Sequence, residues 1–309
     1  MIAELSPSTC CAFTPEDIVR EVKHLPSAPK VLPRLKQLLS DGNSAMHEIV
    51  ALVRLDPGIA ARVLQTANSA YFSKGVRCTT VDEAVNRVGY DQIYELVSYA
   101  VASQVLVRPL DLYNIDADEL WKMSVTGALA AEALAERTQQ DRNIAYTIGL
   151  LHCVGMVALD EWALRGGHKL FFKTAGFPRE AIESERAALG FTQAETGAAL
   201  LTHWEFPAAM CEPVRWQYTP RASAVHARMA SLLFAAKWIR SAVCAPTIAA
   251  RPSLPESVQL APLGLGPAAL NQVAGDVTRR LAAVSSLLET PGSEAPFDRQ
   301  QFPAQRWRG

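Results

Sequence analysis

His152 and Cys153 stand side by side in a stretch, residues 143–159, that carries no formal charge. An imidazole and a thiolate are both ligands for soft metals, and a histidine beside a cysteine is the composition of a nucleophilic dyad. Position argues against both uses. Neighbouring residues on one helix point about 100° apart, so the two side chains are not expected to converge on one ion or one substrate. The six cysteines (Cys10, Cys11, Cys78, Cys153, Cys211 and Cys244) are dispersed and form no CxxC pair, which excludes a zinc ribbon or a thioredoxin-type motif. They read as reduced thiols, most of them buried. No glycine-rich phosphate loop is present. The run Ala67-Asn68-Ser69-Ala70-Tyr71-Phe72 is the other marked feature. Asn68 and Ser69 suit a helix end, where short polar side chains satisfy free backbone groups, and Tyr71 and Phe72 would close the next loop onto the core. The same four residues also make a candidate interaction loop.

The elements that must carry these residues are helical nearly throughout. Thr14-Pro15-Glu16-Asp17 and Asp56-Pro57 are helix starts, and Thr80 with Glu83 and Thr192 with Glu195 have capping-box spacing. Gly89 is a helix stop. A helix follows Pro29 with Val31, Leu35, Leu38 and Leu39 on one face, and Ser44 opens another. Residues 90–107 read as a long helix, 109–114 as a linker and 118–137 as an alanine-rich helix. One buried helix is expected over 144–159, with further helices opening at Pro178 and Pro207 and running over 222–243. The proline-rich stretch 244–267 reads as an extended connector. Residues 267–289 form an amphipathic helix striped with Leu270, Val273, Val277, Leu281 and Val284, expected to pack on the parent fold, with docking to a partner or a second copy as the alternative. A mobile end is expected beyond Pro291. No β alternation stands out, so the fold class is all-α.

The 309 residues are long enough to bury a large core, and 49% hydrophobic with 20% charged residues describes a globular chain. Thirty basic residues against 31 acidic ones leave a net charge of −1, without the basic excess that drives phosphate-backbone binding. No nucleic-acid partner is expected. The start, Met1-Ile2-Ala3-Glu4, lacks the basic cluster and apolar core of a secretory signal, and 143–159 falls short of a bilayer span, so no membrane role and a cytoplasmic location are expected.

Two ordered blocks resemble the HDOD domain, a bacterial output module related to HD-type metal phosphohydrolases. The first is Leu25-Pro26, Leu55-Asp56-Pro57, Ala67 through Phe72, and Ala84 through Val88-Gly89. The second is Leu120-Trp121, Gly149-Leu150-Leu151-His152, Leu189-Gly190, Gly197-Ala198, Trp204-Glu205-Phe206-Pro207 and Pro220. The resemblance covers residues 14–243. It implies a multi-helix HD-like bundle in two halves, 14–108 and 117–243, after an N-terminal segment 1–13 and before the connector 244–266 and the C-terminal helix and tail, 267–309.

It also marks six positions where the best-kept relatives place metal ligands. Here they hold Met123, His152, Cys153 in place of the doublet's aspartate, Gln193, Gln217 and Tyr218. A thioether and two amides do not replace imidazoles and carboxylates, so no metal, no cofactor and no catalytic residue are expected, and the six define a vestigial pocket. Met123 has Gly127 one turn on, His152 is flanked by Gly149 and Gly155, and Gln193 has Gly197 one turn on. Glycine costs a helix interior up to about 1 kcal/mol against alanine, so a close approach is expected at each. The pocket is expected to be filled by side chains, with a small polar ligand as the alternative. The resemblance implies a non-catalytic regulatory module that binds signalling proteins. A phosphohydrolase with a divergent site and a nucleotide sensor are the competing readings.

Overall fold

A computed structural model of the chain describes residues 13–22, 31–40, 45–73, 75–89, 92–93, 96, 109–172, 179–245, 252–255 and 257–288. Among them the helices are α1 Pro15–Glu21, α2 Val31–Ser40, α3 Met46–Val53, α4 Pro57–Asn68, α5 Ala70–Ser73, α6 Val81–Val88, α7 Ala117–Thr138 and α8 Arg142–Leu151. They continue with α9 Val154–Gly166, α10 Arg179–Leu189, α11 Gln193–His203, α12 Ala208–Arg215, α13 Ala227–Cys244, α14 Ser257–Leu260 and α15 Pro267–Leu288. No strand forms among the described residues, and a single antiparallel bridge joins Leu110 to Ile115. The fold is all-α.

Local chemistry sets most of these starts. The Thr14 hydroxyl accepts from the Asp17 N–H, and the Asp17 carboxylate accepts from the Thr14 N–H at 3.0 Å. Asp56 accepts from the Ile59 N–H at 2.9 Å with Pro57 in the first turn, and Thr80 accepts from the Glu83 N–H at 3.2 Å. Each such cap contributes about 1 kcal/mol. Gly89 ends α6 at φ 84°, a left-handed conformation that an L side chain rarely adopts.

The apolar faces meet in one continuous core. α7 packs along α8 and α13, α9 lies on α11, α11 on α12, and α4 on α6. Residues from both ends of the chain, Ile18 through Leu281, belong to this core. The first helix, α1, packs against α11 and α9. Trp121 Nε1 donates to the Leu55 carbonyl at 2.9 Å, and the Tyr146 hydroxyl donates to the Arg54 carbonyl at 2.8 Å, tying early helices to later ones. On α15, Leu270, Val273 and Val277 are fully buried against α7 and α13, so the final helix packs on its parent fold. Each such aliphatic side chain contributes about 1.5–3 kcal/mol by leaving water.

Several expectations need correction. The helix expected over 144–159 is two: α8 ends at Leu151, and Cys153, at φ −97° and ψ 1°, caps the start of α9. No proline or charge marks that break. The helix expected from 222 begins at Ala227, after a 3-10 turn Pro220–Ala222 that Ser223 joins to it by accepting from the His226 N–H. The connector is partly folded, with α14 and the turn Ala261–Leu263 burying Leu260 and Leu263. Leu110, Leu112 and Tyr113, in the expected linker, are buried, and the Leu112 N–H donates to Asp160 at 2.9 Å. Residues 142–166 are long and apolar enough to cross a membrane by composition, but most of this stretch is buried inside the fold. The Leu25-Pro26 pair, Ser44, the expected 90–107 helix apart from residues 92–93 and 96, Pro178, Cys10, Cys11 and the tail after Leu288 lie outside the described residues.

Candidate functional site

The break between α8 and α9 places His152 and Cys153 at the meeting point of α7, α8, α9, α11 and α13. Two glycine contacts hold the helices there. A Cβ on Gly149 would stand 2.7 Å from the Gly127 carbonyl oxygen, and one on Gly155 would stand 1.8 Å from the Gln193 carbonyl oxygen. Gly155 and Gly197 also face each other across α9 and α11. The glycines predicted to border close approaches therefore do so, and what approaches is helix backbone. The His152 ring fills the space left by Gly127, where a Cβ would meet Cε1 at 2.6 Å. Met123 lies one turn before Gly127 and is buried.

Because the helix breaks, the expected divergence of His152 and Cys153 does not hold. Cys153 Sγ lies 3.1 Å from His152 Nε2. The pair is nonetheless a poor nucleophile. Burial pushes the Cys153 thiol up from its ordinary range, and burial with Arg240 beside it holds His152 well below the usual imidazole value. A neutral thiol beside an imidazole that resists protonation is the reverse of an activated thiolate.

The remaining ring contacts define the tautomer. His152 Nδ1 lies 2.6 Å from the Gly149 carbonyl, which only accepts, so the proton is on Nδ1 and the lone pair on Nε2. Arg240 Nη1, which only donates, lies 3.1 Å from Nε2 and 3.8 Å from Cys153 Sγ. Arg240 is on α13 and is 2% exposed. One turn earlier on the same face, Lys237 is 4% exposed, and its Nζ sits 3.0 Å from the centre of the Tyr218 ring. Burial, then Arg240, holds the Lys237 amine well below its ordinary value.

Gln193 and Tyr218 meet at 2.6 Å through Nε2 and the hydroxyl. Gln217 Nε2 donates to the His152 carbonyl at 3.2 Å and to the Val214 carbonyl at 2.9 Å. The buried Glu185 carboxylate accepts from the Tyr113 hydroxyl and from the Gln193 N–H, both at 2.8 Å. Burial pushes Glu185 up to about 7. The pocket residues are thus brought to one junction, with Met123 bordering it. Sequence reasoning missed Arg240, Lys237, Glu185 and Tyr113. The legible signal for the first two was two charges on the stripe Leu233, Lys237, Arg240, whose spacing places them on the face that α13 buries.

An HD-type divalent metal does not fit these residues. Among the described residues no three His, Cys, Asp or Glu side chains converge as a ligand set. The one imidazole lone pair is already occupied by a guanidinium and the Cys153 thiol, and a second basic side chain, Lys237, lies on the same face as that guanidinium. A divalent ion there would meet charge repulsion and amides in place of carboxylates.

The second marked feature is chiefly structural. Asn68 Nδ2 donates to the Cys78 carbonyl at 3.1 Å, and its Oδ1 accepts from the Cys78 N–H at 2.6 Å. The Ser69 hydroxyl donates to the Thr66 carbonyl at 2.7 Å. Tyr71 stacks edge-on against Phe72 at 4.8 Å but is 83% exposed, so it does not close the loop onto the core as expected.

An all-helical bundle centred on such a junction belongs to the HD/HDOD-like helical folds. The chain spans 81% of its length on a response regulator, MmoQ, from Methylococcus capsulatus str. Bath (98% of that chain, TM-score 0.61, 22% identity). It likewise aligns with a virulence factor from Campylobacter jejuni subsp. jejuni over 87% of this chain and all of that one (TM-score 0.66, 16% identity). The sequence pattern of the HDOD domain matches residues 25–220, and the chain belongs to that family. A curated relative, an uncharacterized protein from Treponema pallidum (strain Nichols), is 28% identical over 205 residues; the match takes in 65% of this chain and 39% of that protein, so the chain spans well under half of it.

Proposed function

We propose that this HDOD domain is a non-catalytic regulatory module of bacterial signal transduction that acts by binding another protein in the cytoplasm. The observation that carries the reading is the His152 lone pair occupied by Arg240 and the Cys153 thiol, each at 3.1 Å, which removes the one conventional ligand from any metal chemistry. The response-regulator description of a relative in fold agrees with a signalling role. A surface for a partner, or for a second copy of the chain, is offered by a cleft of about 710 Å³ where α3 and α6 meet α7 and α8. Val50, Leu129 and Tyr146 wall it, and Arg54 lies in it, paired with Asp82 and Glu132, each at 3.1 Å. The near-neutral net charge supports a protein rather than a nucleic acid as the partner.

Metal analysis of the purified protein, with turnover of a generic phosphodiester, tests the reading. We expect substoichiometric Mn, Fe and Zn, no turnover, and an unfolding midpoint that a chelator leaves unchanged. Near-stoichiometric metal with His152-dependent turnover would establish the hydrolase instead. One observation favours a sensor as second reading: Gln193 Oε1, Gln217 Oε1 and Lys237 Nζ are buried without hydrogen-bond partners among the described residues. A small polar ligand would satisfy them, and a selective rise in midpoint with a nucleotide is its test.

A further inference from the structure

His152 has the bonding pattern of a metal-bound imidazole with a side chain in the metal's place. Its Nδ1–H is held by the Gly149 carbonyl, the orientation that aims an Nε2 lone pair outward. That lone pair faces two donors at 3.1 Å, the neighbouring Cys153 thiol and the Arg240 guanidinium, the latter reached from a helix 88 residues further along the chain. Arg240 and Lys237 are two basic side chains in the core, and the nearby carboxylate, Glu185, is occupied by Tyr113 and the Gln193 backbone. The side-chain Oε1 atoms of Gln193 and Gln217, negative ends of amide dipoles, are buried without donors among the described residues. The imidazole lone pair and the two amide oxygens suit a resident positive charge, and α13 brings that charge in covalently.

We propose that Arg240 is an internal cation that substitutes for a bound ion at His152, so that the junction is permanently loaded and its assembly needs no metal. The guanidinium takes the imidazole lone pair as a metal would, and offers no open coordination position. This goes beyond the loss of catalysis, since an emptied site and a substituted site differ in what happens when Arg240 is removed.

Chemical rescue separates the two. Arg240→Ala deletes the guanidinium and leaves space for ethylguanidinium, whereas N-ethylurea has nearly the same shape without charge. In the full-length chain, about 10 mM ethylguanidinium should raise the midpoint of Arg240→Ala by about 2–4 °C and leave the unsubstituted protein unchanged, with N-ethylurea giving no rise. An equal rise with N-ethylurea, or none with ethylguanidinium in a variant that circular dichroism shows to be folded, overturns the proposal. Should that variant not fold, nitrogen NMR of histidine-labelled unsubstituted protein decides. A neutral His152 protonated on Nδ1 supports the proposal, and an Nε2-protonated ring or an imidazolium, neither able to accept from Arg240, ends it.

Discussion

Arg240 and His152 are 88 residues apart in the chain and meet at 3.1 Å, guanidinium nitrogen to imidazole nitrogen, with both side chains almost wholly buried. A buried guanidinium is costly unless its N–H groups are accepted, and a buried imidazole lone pair is costly unless it is given a donor. Each residue therefore meets a requirement of the other. Their contact joins α13 to the α8–α9 junction and, with burial, disfavours protonation of the ring.

Replacing one partner exposes that dependence. His152→Leu keeps an apolar volume but removes an acceptor from the Arg240 guanidinium. We expect a loss of about 2–4 kcal/mol in urea unfolding, and the double variant His152→Leu with Arg240→Met should recover part of it, because two apolar groups leave no stranded charge. Additive losses in the double variant would show that the two residues act separately.

The glycine contacts give a second expectation. Gly155→Ala puts a methyl group 1.8 Å from the Gln193 carbonyl oxygen, a backbone atom that cannot step aside. It should cost more than about 3 kcal/mol or prevent folding. Gly275→Ala, exposed on α15 with nothing within 4 Å of the new Cβ, should instead stabilise by about 0.5–1 kcal/mol through helix propensity. Thermal unfolding of the two variants side by side checks the contrast.

Glu185 predicts a pH dependence. Burial raises its carboxyl from 4.5 to about 7, so the folded chain binds this proton more tightly than the unfolded chain does. Its favourable contribution is complete below pH 4.5 and is lost as pH rises through 7. Glu185→Gln removes the loss, so its stability relative to the unsubstituted protein should rise by about 3 kcal/mol between pH 4.5 and pH 8. His152 acts with the opposite sign, since its lowered value favours the unfolded chain as pH falls below 6.5, but it is present in both proteins and cancels in the difference. A flat difference across that range, by chemical unfolding at several pH values, would contradict the assignment.

Asn68 and Tyr71 separate closure from recognition. Asn68→Ala breaks two buried hydrogen bonds to Cys78 and should cost about 1–3 kcal/mol. Tyr71→Ala removes an 83% exposed ring and should stay within about 0.5 kcal/mol of the parent. If this loop is a docking surface, Tyr71→Ala weakens partner binding at unchanged stability; identified partners that bind both forms equally place the interface elsewhere.

The amino-acid sequence by itself determined the helical class and most helix starts, because caps such as Thr14 with Asp17 and Asp56 with Ile59 act across three residues. It also marked the close-packed faces, because glycines at Gly127, Gly149, Gly155 and Gly197 are tolerated in a helix where backbone must come near. Only the tertiary structure decided where the helix holding His152 breaks, since no proline or charge signals it. It alone decided the chemistry of the junction as well. Whether His152 faces a metal, water or a cation depends on which side chain arrives from α13, and whether Glu185 is held near neutrality depends on how deeply packing from distant helices buries it. Caps and periodicity are local interactions, while burial and electrostatic partnership are properties of residues that folding brings together.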